Sequence, residues 1–416
     1  MRSAAGLLVL LCTMPLLWQQ LAATPVGSIR YFHLGALAML AIARPIQGIY
    51  FALWGRILPA AVAVVVHTIL MTLSAMAWAG YWPDPIQNAL YALLGIFAGA
   101  CFFTALTEAP ARRLMAMASP AVTTTFVLAF GQAIIAAGLN PISVYRAALA
   151  GDRQILLFAL YRGAFSSGGG EEVLSMTRHE MYGALFIAAC VSGMTIWSLR
   201  SALTRAVVVA SQLITLALIA TSLSRSVMIA VAITGMVAAA GLLGRIKVPI
   251  AVAALAGVAV LAFPLYAPAL QQLVLDHFLD DTTSYEGRAG SWSAFSQPDI
   301  WNRLFFGGGP LTISTHTMVG DAALRGGLLA AVAAVVFCLT LIRRWFSALG
   351  LVMAGDSAAI GCAGALGIAL VRCFTSGGGF LAFAQWQAIG MGIAFLLWRE
   401  TSRRQSAIQT QVGAAE

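Results

Sequence analysis

Residues 321–342 read DAALRGGLLAAVAAVVFCLTLI, and from Gly326 onwards this stretch contains no charged residue. As a helix it is long enough to cross the roughly 30 Å hydrocarbon core of a bilayer. Similar runs recur along all 416 residues, of which 60% are hydrophobic and 9% charged, and the mean hydropathy is +0.88. A water-soluble protein needs more surface charge, and the runs lack the alternation typical of barrel strands. The sequence therefore predicts an all-α, polytopic integral membrane protein.

About twelve transmembrane helices are expected if each apolar run of roughly 17 to 23 residues is one span. The predicted spans are 5–23, 31–51, 57–79, 88–106, 119–139, 180–198, 203–220, 226–243, 248–265, 321–342, 349–371 and 377–398. This division predicts N-terminal helices (1–139), a first long loop (140–179), central helices (180–265), a large loop (266–320), C-terminal helices (321–398) and a tail (399–416). We expect the last residues of the tail to be disordered.

The arginines predict the orientation, because cytoplasmic connections of inner-membrane proteins are rich in Lys and Arg. If both termini are cytoplasmic, every inner segment is positive. These segments contain Arg56, Arg112, Arg113, Arg200, Arg205, Arg245, Lys247, Arg343, Arg344, Arg399, Arg403 and Arg404. Both long loops then lie on the opposite, outer face of the membrane. The net charge of +9 is explained by the arginines of the cytoplasmic connections, so we expect no nucleic-acid partner.

Two features leave the number of spans open. Arg44 and Pro45 lie inside the second run, which they would break or end early. The first run follows Arg2 and ends with Ala22 and Ala23, so that a cleaved signal peptide is an alternative to a first span.

Motifs for metal or nucleotide chemistry are missing from the sequence. None of the six cysteines has zinc-ligand or CxxC spacing, and we find no Walker A, GxGxxG or HExxH pattern. We therefore expect neither a metal nor a cofactor. The remaining metal hypothesis is a metal-dependent transferase that uses Asp276, Asp280 and Asp281, although neighbouring carboxylates in an acidic loop are usually solvated.

Three arginines and a histidine are the candidate functional residues. Arg225 is the last residue of SLSR at 222–225, at the outer end of the predicted span 226–243. Arg288 and Arg303 lie in the large loop, and His316 lies a few residues before the span 321–342. All four are predicted on the same face of the membrane. Guanidinium groups bind phosphate oxygens through a planar fork, and neutral histidine accepts a proton near pH 7. The alternatives are an interfacial anchor at Arg225, solvated loop positions for Arg288 and Arg303, and a helix cap at His316.

The order of these features resembles the bacterial O-antigen polymerase and O-antigen ligase superfamily over residues 203–345. The resemblance rests on SLSRS at 222–226, Gly287-Arg288 followed by Trp292, LFFGGGP at 304–310, THT at 315–317 and GGLL at 326–329. Many members have Asn where Thr317 stands, and an acidic residue where this chain has Leu324 and Arg325.

The resemblance implies a GT-C-like membrane glycosyltransferase that is metal-independent and inverts the anomeric centre. Such enzymes lie in the bacterial inner membrane and act at its periplasmic face. They take a glycan from undecaprenyl pyrophosphate and join it to a lipid-linked repeat unit or to lipid A core. Carried over, Arg225 and Arg288, and less strictly Arg303, would bind the pyrophosphate, while His316 would activate the acceptor hydroxyl. A flippase and a chain-length regulator are implied as partners.

Arginines in both long loops favour a polymerase, since ligases mainly elaborate one loop. Arg146 and Arg153 in the first loop are then candidates for binding the acceptor glycan. An O-antigen ligase is the alternative. A hypothesis from another class is a transporter or flippase for an anionic lipid or solute, although most of the arginines cluster at one surface rather than deep within several spans.

Overall fold

The computed structural model describes residues 20–24, 27–30, 47–78, 84–136, 140, 142–144, 146, 178–221, 224–243, 305, 307, 315–375 and 381–413. Nearly all of these residues are helical. The helices are α1 (Gln47–Arg56), α2 (Leu58–Trp78), α3 (Asp84–Thr107), α4 (Ala109–Ala116), α5 (Ala118–Ala136), α6 (Arg178–Thr195), α7 (Ala202–Thr221), α8 (Arg225–Leu243), α9 (Met318–Met353), α10 (Ala359–Thr375) and α11 (Phe383–Gly413). A 3-10 turn, Ile196–Ser198, extends α6.

The exception to the helical fold is an antiparallel hairpin of β1 (Gln20–Thr24) and β2 (Gly27–Arg30), with Thr24 opposite Gly27. The first strand overlaps the end of the predicted span 5–23, so a helix continuing to residue 23 is wrong. Pro25 restricts the residue before it to extended conformations, which explains why Thr24 is not helical.

Four of the described helical segments are long and apolar enough to cross a membrane. They are Asn88–Thr107, Met181–Ser198, Ala202–Ile219 and Met318–Met353, and a fifth span results if Gln47–Arg56 and Leu58–Ser74, bent by 87° from each other, form one. Large apolar side chains face outwards, including Leu203, Leu213, Val62 and Leu73. The chain is therefore a helical membrane protein. Residues 31–46 of the predicted span 31–51, and all of the predicted span 248–265, lie outside the described residues.

Helix α9 differs from the predicted division into spans at 321–342 and 349–371. It continues through Arg343 and Arg344 to Met353, and the chain turns only at Gly355, which has φ +90°. There the Gly355 N–H donates to the carbonyl of Val352 (2.8 Å), and the Asp356 N–H to that of Leu351 (3.0 Å). This Schellman motif needs a left-handed residue, so glycine determines where the helix ends and the arginine pair does not.

The predicted disorder of the tail is wrong up to residue 413. Helix α11 begins at Phe383 and continues past residue 398 to Gly413. Residues 399–413 contain no proline, and no glycine before Gly413, that would end the helix.

Close contacts between α3 and α11 form the centre of the bundle. A Cβ atom on Gly99 would overlap the backbone of Gly390, so the two backbones approach as small residues allow in membrane helices. Asn88 accepts a hydrogen bond from Trp386 Nε1 (3.1 Å), and Trp386 lies edge-on against Phe337 of α9 (5.3 Å). Burial of these two rings stabilises the packing of α3, α9 and α11.

Contacts between antiparallel helices define the two ends of the bundle. Ser74, near the end of α2, donates to the carbonyl of Arg325 near the start of α9. At the other end, Arg344 of α9 donates to the carbonyl of Arg56, just before α2. We call the first the His316 end. The second is the Glu400 end, because Glu400 forms an ion pair with Arg56 there.

Candidate functional site

The backbone around His316 is organised by the buried carboxylate of Asp321. Asp321 Oδ1 accepts hydrogen bonds from the Thr315 N–H (2.6 Å) and from Thr315 Oγ1 (2.9 Å). Asp321 and Thr315 are almost completely inaccessible to solvent. A buried carboxylate with two donors on one oxygen fixes the turn that leads into α9.

Thr317 caps the N-terminus of α9. Its backbone is extended (φ −128°, ψ 143°), and its Oγ1 accepts a hydrogen bond from the Gly320 N–H (3.1 Å). A Cβ on Gly320 would overlap both threonine hydroxyls, so glycine is required where the turn meets the helix. Threonine is one of the residues preferred at this position, because its hydroxyl oxygen accepts a hydrogen bond from an N–H of the first helical turn.

His316 lies between these two threonines with a left-handed backbone, φ +55°. It is the one non-glycine residue with positive φ among those that the structure describes. Such a conformation is uncommon and persists where surrounding contacts hold it, here the bonds of Thr315 and Thr317 on either side. The imidazole is half-buried, at the start of α9. The alternative expectation, that His316 caps the helix, is not met, because Thr317 is the cap.

The glycine-rich segment 307–309 is joined to the same region through Gly307. This residue has φ +76°, and a Cβ on it would overlap the Arg325 carbonyl and the Ser74 hydroxyl. The conformation and the close approach both require glycine. Gly307 thus lies against the first turns of α9, which end at Gly327 with non-helical angles (φ 81°, ψ −177°). The predicted span 321–342 is broken at this glycine.

Helix α8 begins with Arg225, the arginine of the SLSRS motif. The structure describes its backbone, while its side chain lies outside the described part. The flanking serines Ser224 and Ser226 are buried, and Ser226 Oγ accepts a hydrogen bond from Arg372 Nη1 (3.3 Å). The end of α10 therefore brings a second arginine to the start of α8.

The helix directions place these elements at one end of the bundle. Helix α10 is joined to α9 by a short turn and runs back along it, so its last residues lie at the His316 end. Because Arg372 contacts Ser226, the start of α8 lies at this end too. The structure thus brings the backbone of Arg225 and the His316 turn to the same end of the bundle.

Two arginines at this end were not among the predicted site residues. Arg372 follows the predicted span 349–371 directly, and the predicted topology already put it on the same face as Arg225. Arg325 lies one helical turn after Asp321, on the same side of α9, and is half-buried. Arginines within apolar helices normally face a protein interior or a polar cavity, and that was the signal that could have identified both.

The remaining predicted residues contribute less to this description. Arg288, Arg303 and Arg153 lie outside the described residues, as do the three aspartates of the metal hypothesis. Arg146 is described and exposed, and it follows a short turn in which Asn140 Oδ1 accepts from the Ile142 N–H (2.9 Å). Within the described part of the chain, no three His, Cys, Asp or Glu side chains are grouped to hold a metal ion.

Neither a protein-family model nor a curated protein sequence matches this chain.

Proposed function

We propose that this protein is a polysaccharide polymerase of the inner membrane, which transfers a glycan from undecaprenyl pyrophosphate to a lipid-linked repeat unit at the periplasmic face. The observation that carries the proposal is the turn 315–317: a histidine in a left-handed conformation, fixed by a buried carboxylate, at the end of the bundle where α8 begins with Arg225. The resemblance in residues 203–345 supplies the reaction class.

In the proposed reaction, the acceptor hydroxyl oxygen attacks the anomeric carbon while the bond from that carbon to the pyrophosphate oxygen breaks. The proton of the hydroxyl passes to His316, and the electron pair leaves with the pyrophosphate. Such a single displacement inverts the anomeric centre. A positioned base contributes typically 10² to 10⁴ in rate, and fixed cations stabilise the negative charge that develops on the leaving group.

We assign the pyrophosphate to Arg225, Arg288 and Arg303, and add Arg372 to this group. Arg372 is supported by its contact with Ser226, the residue that follows Arg225. Guanidinium groups on two helices would bind the phosphates from different directions, and each can donate two parallel hydrogen bonds to one phosphate, which the ammonium group of lysine cannot. Arg146 and Arg153 remain the candidates for the acceptor glycan. No cofactor or metal enters this mechanism.

The test is a strain that lacks this protein, complemented with wild type or with single variants. His316→Asn is the sharpest variant, because asparagine tolerates a left-handed backbone while removing the base. We expect it, Arg288→Ala and Arg372→Gln to accumulate single lipid-linked repeat units. The matched control, Arg200→Gln, changes an exposed arginine near the opposite ends of α6 and α7 and is expected to give wild-type polymer.

Three results would contradict the proposal. Normal polymer length with His316→Asn would exclude the histidine as the base. Long polymer that stays on the undecaprenyl carrier in the deletion strain would identify a ligase acting on lipid A core. Repeat units trapped on the cytoplasmic side of the membrane would identify a transporter or flippase. Membrane levels of each variant, measured by immunoblot, separate loss of activity from loss of protein.

A further inference from the structure

At the Glu400 end, far from His316, α1, α9 and α11 line an open pocket of about 280 Å³. About 24 Å of helix separates Leu328, just after the break in α9, from Arg344 in the pocket wall. The polar lining consists of Arg56, Arg344, Arg399, Arg403, Arg404, Glu400 and Ser347. Leucine and isoleucine side chains from α9 and α11 form the remaining, apolar wall.

The positive charge of this pocket exceeds its negative charge. Glu400 pairs with Arg56 and with Arg404 (2.6 Å), and Asp356 from outside the lining pairs with Arg399 (2.7 Å). Five guanidinium groups thus share two carboxylates. Among the described residues, no carboxylate lies within ion-pair distance of Arg344 or Arg403.

The side chain of Arg344 is held in the pocket wall by a hydrogen bond to the backbone of Arg56. One of its terminal nitrogens donates to the Arg56 carbonyl, while its Nε is buried and has no hydrogen-bond partner within the described chain. A guanidinium held in this way keeps its positive charge in the pocket wall, where it attracts an anion that enters the pocket. Arg403 is exposed at the rim of the pocket.

Aromatic side chains next to the pocket indicate its depth. Trp197 stacks on Trp398 at 5.8 Å, and Arg112 and Arg399 lie over these two rings at 5.1 and 4.7 Å. Tryptophan is enriched at the level of lipid headgroups, where its ring is apolar on one side and wet on the other. The pocket therefore lies at the membrane–water interface, with arginines at its rim and apolar side chains behind them.

We propose that this pocket binds the phosphate of an anionic phospholipid, with the headgroup against Arg344 and Arg403 and the acyl chains along the apolar wall. A soluble phosphate would satisfy the same guanidinium groups but leave the wall of leucine and isoleucine without a partner. The site is separate from the reaction proposed at the His316 end and does not depend on it.

The experiment compares the purified protein in nanodiscs of phosphatidylcholine with and without phosphatidylglycerol. Native mass spectrometry counts retained phosphatidylglycerol, and thermal unfolding measures its stabilising effect. We expect wild type to retain the lipid, and Arg403→Gln and the double variant Arg344→Gln/Arg403→Gln to lose it by roughly fivefold per arginine. Arg200→Gln removes one charge near the same end but outside the lining and is expected to stay within about twofold of wild type.

Several outcomes would overturn the proposal. Equal loss of lipid in Arg200→Gln would mean that diffuse surface charge attracts the lipid and that the pocket does not. Unchanged retention in Arg403→Gln and in the double variant, both eluting as folded protein from size exclusion, would remove the site. If inorganic phosphate stabilises the protein in pure phosphatidylcholine as strongly as the lipid does, the ligand is a soluble anion and the lipid assignment fails.

Discussion

Asp321 is the residue on which the geometry of the His316 turn depends. Its carboxylate receives both donors of Thr315, and its own N–H donates to the Thr317 carbonyl (3.0 Å). A carboxylate buried near the start of a helix also interacts favourably with the positive end of the helix dipole. Asp321 was read in the sequence as the point where a helix begins, and its contacts with Thr315 became evident only from the structure.

Asp321→Ala is expected to lower the free energy of unfolding by about 2 to 4 kcal/mol, because two buried donors of Thr315 lose their acceptor. Asp321→Asn keeps one carbonyl oxygen and should lower it by less. Thermal unfolding in a mild detergent measures both. If the two variants unfold at the wild-type temperature, the hydrogen bonds to Asp321 are not present in the protein.

At the scale of helices, the packing of α3 on α11 restricts which residues the sequence can have at three glycines. Gly95, Gly99 and Gly390 leave no room for side chains, since a Cβ on each would overlap backbone atoms of the opposite helix. Gly55 in α1 has nothing within 4 Å of the position its Cβ would take, so it offers a matched comparison.

Gly99→Ala is expected to destabilise the protein by roughly 1 to 3 kcal/mol through overlap with Gly390, even though alanine favours helix. Gly55→Ala should be neutral or stabilising by about 0.5 to 1 kcal/mol, because it restricts the unfolded chain without a clash. Thermal unfolding of the two purified variants under the same conditions checks the difference. Equal midpoints would contradict the close approach of α3 and α11.

The positions of many helices were predictable because apolar runs dictate them. The predicted spans 57–79, 88–106 and 203–220 agree within a few residues with α2, α3 and α7. The errors fall where backbone conformation and packing decide. Helix α9 ends at the Schellman turn of Gly355, beyond Arg343 and Arg344, where the predicted span ended. Gly327 interrupts the regular helix inside an apolar run that was predicted to be continuous. Apolar composition carries no information about a positive φ angle.

The candidate site was predictable only in part, for a related reason. His316 and Arg225 were identified from their positions in the chain, and both lie at one end of the bundle. The contact of Arg372 with Ser226 joins residues that are 146 positions apart, which a pattern in the sequence does not reveal. The proposed roles of Arg288, Arg303 and Arg153 remain predictions.

At the scale of the whole molecule, an ion pair at the Glu400 end connects two helices that are far apart in the sequence. At the Glu400 end, Glu400 joins α1 and α11 through Arg56, and hydrogen bonding to Arg56 lowers the pKa of Glu400 below its usual 4.5. A carboxylate with a lowered pKa in the folded state contributes stability above its unfolded pKa. That stability is lost as the pH falls through the folded pKa.

The thermal midpoint is therefore expected to fall as the pH drops below about 4.5, and Glu400→Gln should reduce this dependence. At neutral pH the variant should unfold only slightly earlier than wild type, because the pair is partly exposed and screened by solvent. Midpoints of both proteins measured between pH 3 and 7 provide the comparison. Parallel curves would mean that the Arg56–Glu400 pair contributes nothing measurable.

The 87° bend between α1 and α2 has a consequence for the surrounding lipid. Since α2 runs alongside α9, the bend turns α1 across the bundle at the Glu400 end, where Leu53 is buried in the core and Phe51 is exposed. A helix lying in this way displaces lipid from one leaflet only. The protein then occupies unequal areas in the two monolayers, so it should accumulate where the leaflet around α1 is expanded, as on a curved vesicle.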